Sequence, residues 1–210
     1  MEKIDIIKSI SERTGGDIYL GVVGAVRTGK STFIKKFIEN LVVPNIEDEY
    51  ERKRCLDEIP QTAQGKTIMT IEPKFVPSTA AKIKVEEFET NIKLVDCVGY
   101  VIPAAKGYED EMGEPRMVKT PWYDEDIPFV EAAEIGTEKV IRDHSTIGIV
   151  VTTDGSIGDI TRNNYIEAEN EVINELKEIG KPFIVLLNSA HPTLPETERL
   201  ADKLKEEYSV

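Results

Sequence analysis

Short apolar runs of strand length alternate along this chain with longer stretches whose apolar residues recur every three or four positions. Ile18-Tyr19-Leu20-Gly21-Val22-Val23 is the first such run, and residues 32–38 behind it have the apolar spacing of a helix. Phe75-Val76, then 82–85, then 91–95 predict three strands, and 82–88 alternates polar and apolar residues as an edge hairpin does. The pattern continues with a helix over 131–143, a buried strand over 146–151 and a long charged helix over 161–179 stopped by Gly180. A strand over 182–187 and a helix over 196–207 complete the series. At the start, Ile4, Ile7 and Ile10 share one face of a short amphipathic helix over 1–14, cut off by Gly15-Gly16 from a domain over 15–210. Strands apolar throughout, alternating with helices, specify an α/β fold of three layers, a mainly parallel sheet covered on both faces.

The turn between the first strand and the first helix changes this picture most. Gly24-Ala25-Val26-Arg27-Thr28-Gly29-Lys30-Ser31 matches the phosphate-binding pattern G-x-x-x-x-G-K-[ST] at every fixed position and leads through Thr32 into the helix. Such a loop turns its backbone N–H groups inward as an anion nest, and the following helix aims its positive end at the same place. Lys30 then neutralises charge on the β- and γ-phosphates, while the Ser31 hydroxyl is offered to Mg²⁺.

Two later stretches fit the same site. Residues 45–66 are densely charged and read as mobile, ending near Thr67 and Thr70. In P-loop nucleotidases this connection carries a threonine that closes on Mg²⁺ and the γ-phosphate, and either residue can fill that role. Thr70 is preferred because it lies just before the strand that includes Phe75 and Val76. The apolar run 91–95 ends in Asp96-Cys97-Val98-Gly99, the form h-h-h-D-x-x-G, whose aspartate holds Mg²⁺ through water and whose glycine N–H approaches the γ-phosphate. Then 100–130, rich in proline, glycine and acid, reads as a long insertion of the kind that is functional or disordered, with Trp122 and Tyr123 as anchors.

A net charge of −13 and a pI near 4.7 exclude general affinity for nucleic acid or anionic lipid. Cys55 and Cys97 are the only cysteines, no leader is visible, and no apolar run approaches spanning length, which together predict a cytoplasmic protein with thiols outside redox work.

Gly24 to Thr32, the stretch Thr70-Ile71-Glu72-Pro73-Lys74-Phe75-Val76-Pro77 and Leu186-Leu187-Asn188-Ser189 together resemble the stage IV sporulation protein A family. The resemblance runs over nearly the whole chain. It implies a spore-coat morphogenetic ATPase related to translation-factor GTPases, polymerising in the mother-cell cytoplasm on the forespore surface and meeting membrane-adaptor and coat proteins. Family members continue beyond this length.

One departure from GTPases stands on chemistry alone. Where they place N-K-x-D, with an aspartate that accepts two hydrogen bonds from guanine, this chain has Asn188, Ser189, Ala190 and His191. Histidine offers one acceptor and no charge, and each buried donor left unpaired costs about 1–3 kcal/mol. Asn188 remains a candidate nucleotide contact, and another carboxylate could replace the aspartate. Tyr100 occupies the slot after Gly99 where many GTPases carry a water-orienting glutamine. Arg27 stands where potassium-activated relatives hold an asparagine, so its guanidinium could take the cation's part, face solvent or pair with the acidic loop. The leading expectation is an Mg²⁺-dependent ATPase; a GTP-dependent switch and a scaffold that barely turns over are the alternatives.

Overall fold

The computed structural model describes residues 17–59, 72–85, 88–110 and 112–210; the expected helix over 1–14 and both candidate threonines, Thr67 and Thr70, lie outside them. Within these residues one five-stranded sheet has the order β2-β3-β1-β6-β7. Here β1 is Asp17–Val23, β2 Lys74–Val85, β3 Phe88–Asp96, β6 Ile147–Thr153 and β7 Phe183–Asn188. β3, β1, β6 and β7 run parallel, and β2 closes the edge antiparallel to β3. Parallel neighbours need crossovers, which α3 (Phe129–Arg142) supplies between β3 and β6, and α4 (Ile166–Glu178) between β6 and β7.

Side chains alternate faces along a strand, which explains why the central runs are apolar without interruption. Val22, Leu94, Ile149 and Val151 enter one layer with Ile34 of α1 (Lys30–Phe37) and with Ile38, Val42 and Cys55. Val23, Val95 and Val150 enter the other, packing with Ile141 of α3, Ile173 and Leu176 of α4, and Leu204 and Tyr208 of α5 (Pro195–Tyr208). Each Val, Leu or Ile fully buried this way stabilises the fold by about 1.5–3 kcal/mol. The result is the expected three-layer α/β/α arrangement, and every parallel strand delivers its C-terminal end to one edge of the sheet.

Four segments differ from the sequence expectation. The runs 75–76 and 82–85 belong to one twelve-residue strand, β2, whose pairing with β3 shifts register between Val76 and Ala81, where Pro77 cannot donate to the ladder. Residues 45–66 were expected to be mobile; a helix, α2 (Glu49–Asp57), stands in them, started by Asp48, whose carboxylate accepts from Glu51 N–H at 2.7 Å. The stretch 100–130 is not irregular throughout. It holds a hairpin of β4 (Met117–Thr120) and β5 (Tyr123–Pro128), and Lys139 of α3 lies 5.6 Å from the Trp122 ring. The charged helix also starts later than 161, at Ile166 after a 3₁₀ turn, because Arg162 turns its guanidinium onto the buried Glu169 and onto Thr152. Cys55 and Cys97 are both buried and free, and burial pushes each thiol up to about 11, so both stay protonated and unreactive near neutrality. No helix among the described residues is long and apolar enough to cross a membrane.

Candidate nucleotide site

The loop 24–29 leaves the end of β1 at the edge where β3, β6 and β7 also end. Its shape depends on two glycines. Gly24 has φ of 132° with its α-carbon pressed against the Val151 carbonyl, and Gly29 has φ of 97° against the Asn188 amide, so a side chain at either position would collide as well as strain the backbone. Three hydrogen bonds fix what lies between. The Thr28 hydroxyl donates to Ala25 O at 2.9 Å, Val26 N–H to Tyr100 O at 2.9 Å, and the Asn188 amide to Thr28 O at 2.9 Å. Asn188, expected at the nucleotide, is thus a brace between the end of β7 and the phosphate loop.

Lys30, in the first turn of α1, is buried with only 5% of its surface exposed, and its ammonium donates to Ala25 O at 2.8 Å and Gly24 O at 3.3 Å. Burial lowers its pKa, while the neighbouring Asp96 carboxylate opposes that shift. Gly99, at φ 89°, runs so close that a β-carbon would strike both Gly24 O and the Lys30 ammonium. This explains the glycine in D-x-x-G: only a bare backbone lets the chain after β3 pass over the loop.

The Ser31 hydroxyl donates to Asp96 Oδ2 at 3.0 Å. Oδ1 of Asp96 is buried and accepts no hydrogen bond of normal geometry among the described residues. Burial raises the Asp96 pKa, against the pull of the Lys30 charge, the Ser31 hydroxyl and the Cys97 N–H. A buried carboxylate oxygen without a donor is costly, and hard divalent cations take oxygen ligands of this kind. Ser31 and Asp96 therefore fit as the two protein oxygen donors that would hold a Mg²⁺ ion.

The other predicted residues fall at different distances from this centre. Thr32 is exposed on α1. Arg27, with φ of 63°, is exposed and borders a cavity of about 440 Å³ shared with Lys106, Asp159, Thr161, Asn164 and Tyr165. Tyr100 is buried and its phenol donates to Glu175 Oε2 on α4 at 3.0 Å, so the hydroxyl in the glutamine slot points into the helical layer. His191 is exposed, and its backbone N–H donates to the Ser189 hydroxyl at 2.9 Å. Asp154, just beyond the strand expected over 146–151, carries no motif of its own in the sequence. The signal available was an aspartate followed by Gly155 and Ser156 at the mouth of a parallel sheet, a turn former where ligands bind.

A family profile described as stage IV sporulation protein A, ATPase domain, matches residues 1–210. The chain is 67% identical over 211 residues to stage IV sporulation protein A of Bacillus anthracis and 66% identical over 211 residues to that of Bacillus subtilis (strain 168). Each alignment covers 100% of this chain and 43% of the relative. Stage IV sporulation protein A of Clostridioides difficile (strain 630) is 56% identical over 207 residues, which cover 98% of this chain and 42% of that relative. The chain thus spans less than half the length of these relatives. Two solved mutation variants of SsGBP share 18% identity with TM-scores of 0.45 and 0.44, over 98% of this chain and 50% of theirs.

Proposed function

The chain belongs to the stage IV sporulation protein A family, within its ATPase domain, and from that premise we propose that it binds ATP with Mg²⁺ at the loop 24–31 and hydrolyses it. The observation that carries this reading is the convergence of Lys30, Ser31 and Asp96, with one buried Asp96 oxygen left to take a ligand. Backbone N–H groups of the loop and the N-terminus of α1 hold the β-phosphate, and Lys30 exchanges its loop carbonyls for β- and γ-oxygens. A Mg²⁺ ion held there would supply neutralisation of the charge that develops on the phosphates. Ser31 and Asp96 hold its position, and Gly99 brings its N–H towards the γ-phosphate. In the full-length protein the nucleotide cycle drives self-assembly of the coat's basement layer on the forespore surface, together with membrane-adaptor and coat proteins. Calorimetric titration with ATP and GTP tests the base preference; tighter GTP binding would turn the reading into a GTP-dependent switch.

Thr70 is proposed as the closing residue that completes the Mg²⁺ shell. Thr70→Ala is expected to lower kcat more than ATP affinity, since that contact forms only on closure; the same pattern in Thr67→Ala instead would reassign the role. Hydrolysis also needs a source of charge stabilisation, because the Tyr100 hydroxyl is engaged with Glu175. Arg27 is proposed to provide it by swinging its guanidinium from the neighbouring cavity to the β/γ bridge. Assayed with and without potassium, Arg27→Ala should lose hydrolysis at near-normal ATP affinity, with partial recovery in potassium. Parental turnover, or an equal loss of binding, would retire that role.

A further inference from the structure

Beside Thr28 and Gly29 of the phosphate loop, one carboxylate gathers three segments. Asp154 follows β6, and its N–H still donates to Asn188 O at 3.3 Å, so the ends of β6 and β7 remain paired. Its Oδ1 accepts from Ser156 N–H at 2.9 Å and the Ser156 hydroxyl at 2.6 Å. Its Oδ2 accepts from the Ser189 hydroxyl at 2.5 Å and the Thr197 hydroxyl, in the first turn of α5, at 3.3 Å. These hydroxyls hold the next segment in turn: Ser156 Oγ accepts from Ala190 N–H and Ser189 Oγ from His191 N–H, both at 2.9 Å. Asn188 braces Thr28 O, and Ile157 Cδ1 approaches Gly29 from the same side. The loop fixed by Asp154 therefore flanks the phosphate loop at Thr28 and Gly29, and it is the loop that fills the slots of the guanine-reading N-K-x-D of GTPases.

We propose that Asp154 is the positioning residue of the base end of this site, holding 188–191 in place for adenine and withholding its own carboxylate from guanine. The proposal rests on the reading of 24–31 as a nucleotide site. A carboxylate has about four acceptor positions; among the described residues the Ser156 N–H and the Ser156 and Ser189 hydroxyls occupy three of those of Asp154, and the Thr197 hydroxyl is shared between the fourth and His191 O. Guanine would need to displace two of them to pair its N1–H and amino group, and the freed hydroxyls would lose their partner. Adenine presents no such pair of donors and is served by the backbone of the fixed loop. Although burial works against it, the surrounding hydroxyl and amide donors keep the Asp154 carboxyl below the usual carboxylate range, so it stays ionised and holds the loop throughout the neutral range.

The test uses the 210-residue chain with ATP, GTP and inorganic tripolyphosphate as calorimetric probes, alongside steady-state hydrolysis. Asp154→Ala and Ser189→Ala should raise the Kd and KM for ATP about tenfold with kcat nearly unchanged, the signature of lost ground-state binding, while tripolyphosphate affinity holds. Asp154→Asn, the milder change, should fall between, and Ser189→Thr should recover affinity relative to Ser189→Ala because it keeps the hydroxyl. Unchanged ATP affinity in these variants, or equal losses for ATP and tripolyphosphate, would overturn the proposal. Parental preference for GTP that Asp154→Ala abolishes would also overturn it, making Asp154 a guanine reader. Failure of the underlying reading is separate: the parental chain would then bind neither ATP nor tripolyphosphate.

Discussion

Lys30→Ala is expected to abolish tight ATP binding while leaving the chain folded. The lysine ammonium is buried at the end of a stem that follows Gly29 directly, and its only hydrogen-bond partners among the described residues are two carbonyls of the loop. Neutral carbonyls compensate an ammonium less well than phosphate oxygens do, so the charge is poised for a polyanion. Charge-assisted hydrogen bonds contribute about 1.5–3 kcal/mol each, and losing two of them weakens binding at least about 100-fold. Stability should respond differently. Since burial lowers the folded pKa of Lys30 below its unfolded value of 10.5, the protonated lysine opposes folding at neutral pH, and that opposition vanishes only as pH rises past 10.5. Alanine removes this term together with the apolar contacts of the stem, and the two changes act in opposite directions on Tm. The expected result is a variant whose melting point without nucleotide stays close to the parent's but which ATP no longer raises, read by thermal shift and calorimetry. A normal ATP-induced shift would contradict the assignment.

How far this site was legible in the sequence differs between its parts for physical reasons. The loop 24–31 and Asp96-Cys97-Val98-Gly99 are local patterns, since the chemistry of a phosphate nest fixes residue types at fixed spacing. The central strands were legible because burial on both faces makes them apolar throughout. β4 and β5 were not: Met117-Val118-Lys119-Thr120 and Tyr123 to Pro128 expose most of their side chains, so they carry little apolar alternation, and their pairing rests on backbone and on α3 beside them. α2 escaped notice because Cys55 is its one buried side chain, although Asp48 with Glu51 three residues on was a visible start signal. The bond from Asn188 to Thr28 spans 160 positions and that from Tyr100 to Glu175 spans 75. No periodicity encodes such contacts. They exist because parallel crossovers bring the ends of β1, β3, β6 and β7 to one edge, so what a slot position alone leaves open, such as where the Tyr100 hydroxyl after Gly99 points, needed the fold to decide it.

Asp96→Ala should retain part of the ATP affinity and lose Mg²⁺-dependent hydrolysis. The separation follows from where its two oxygens point: Oδ2 accepts from the Ser31 hydroxyl, whereas Oδ1 accepts no hydrogen bond of normal geometry among the described residues, and the Lys30 and loop N–H contacts proposed to grip the phosphates do not pass through either. Asp96→Asn is the sharper variant, because it keeps the volume and leaves a carbonyl to accept from Ser31 while removing the charge. Burial raises the Asp96 pKa in the folded chain, so at neutral pH the ionised carboxylate lowers stability, an effect that shrinks as pH falls below that raised value and is gone only below the unfolded value of 3.8. Asparagine removes the penalty at all pH, and its Tm without nucleotide should lie at or above the parent's even though turnover is gone. Unchanged turnover in Asp96→Ala, or a loss of Tm in Asp96→Asn as large as the loss of activity requires, would mean that Asp96 serves the fold and another residue holds the ion.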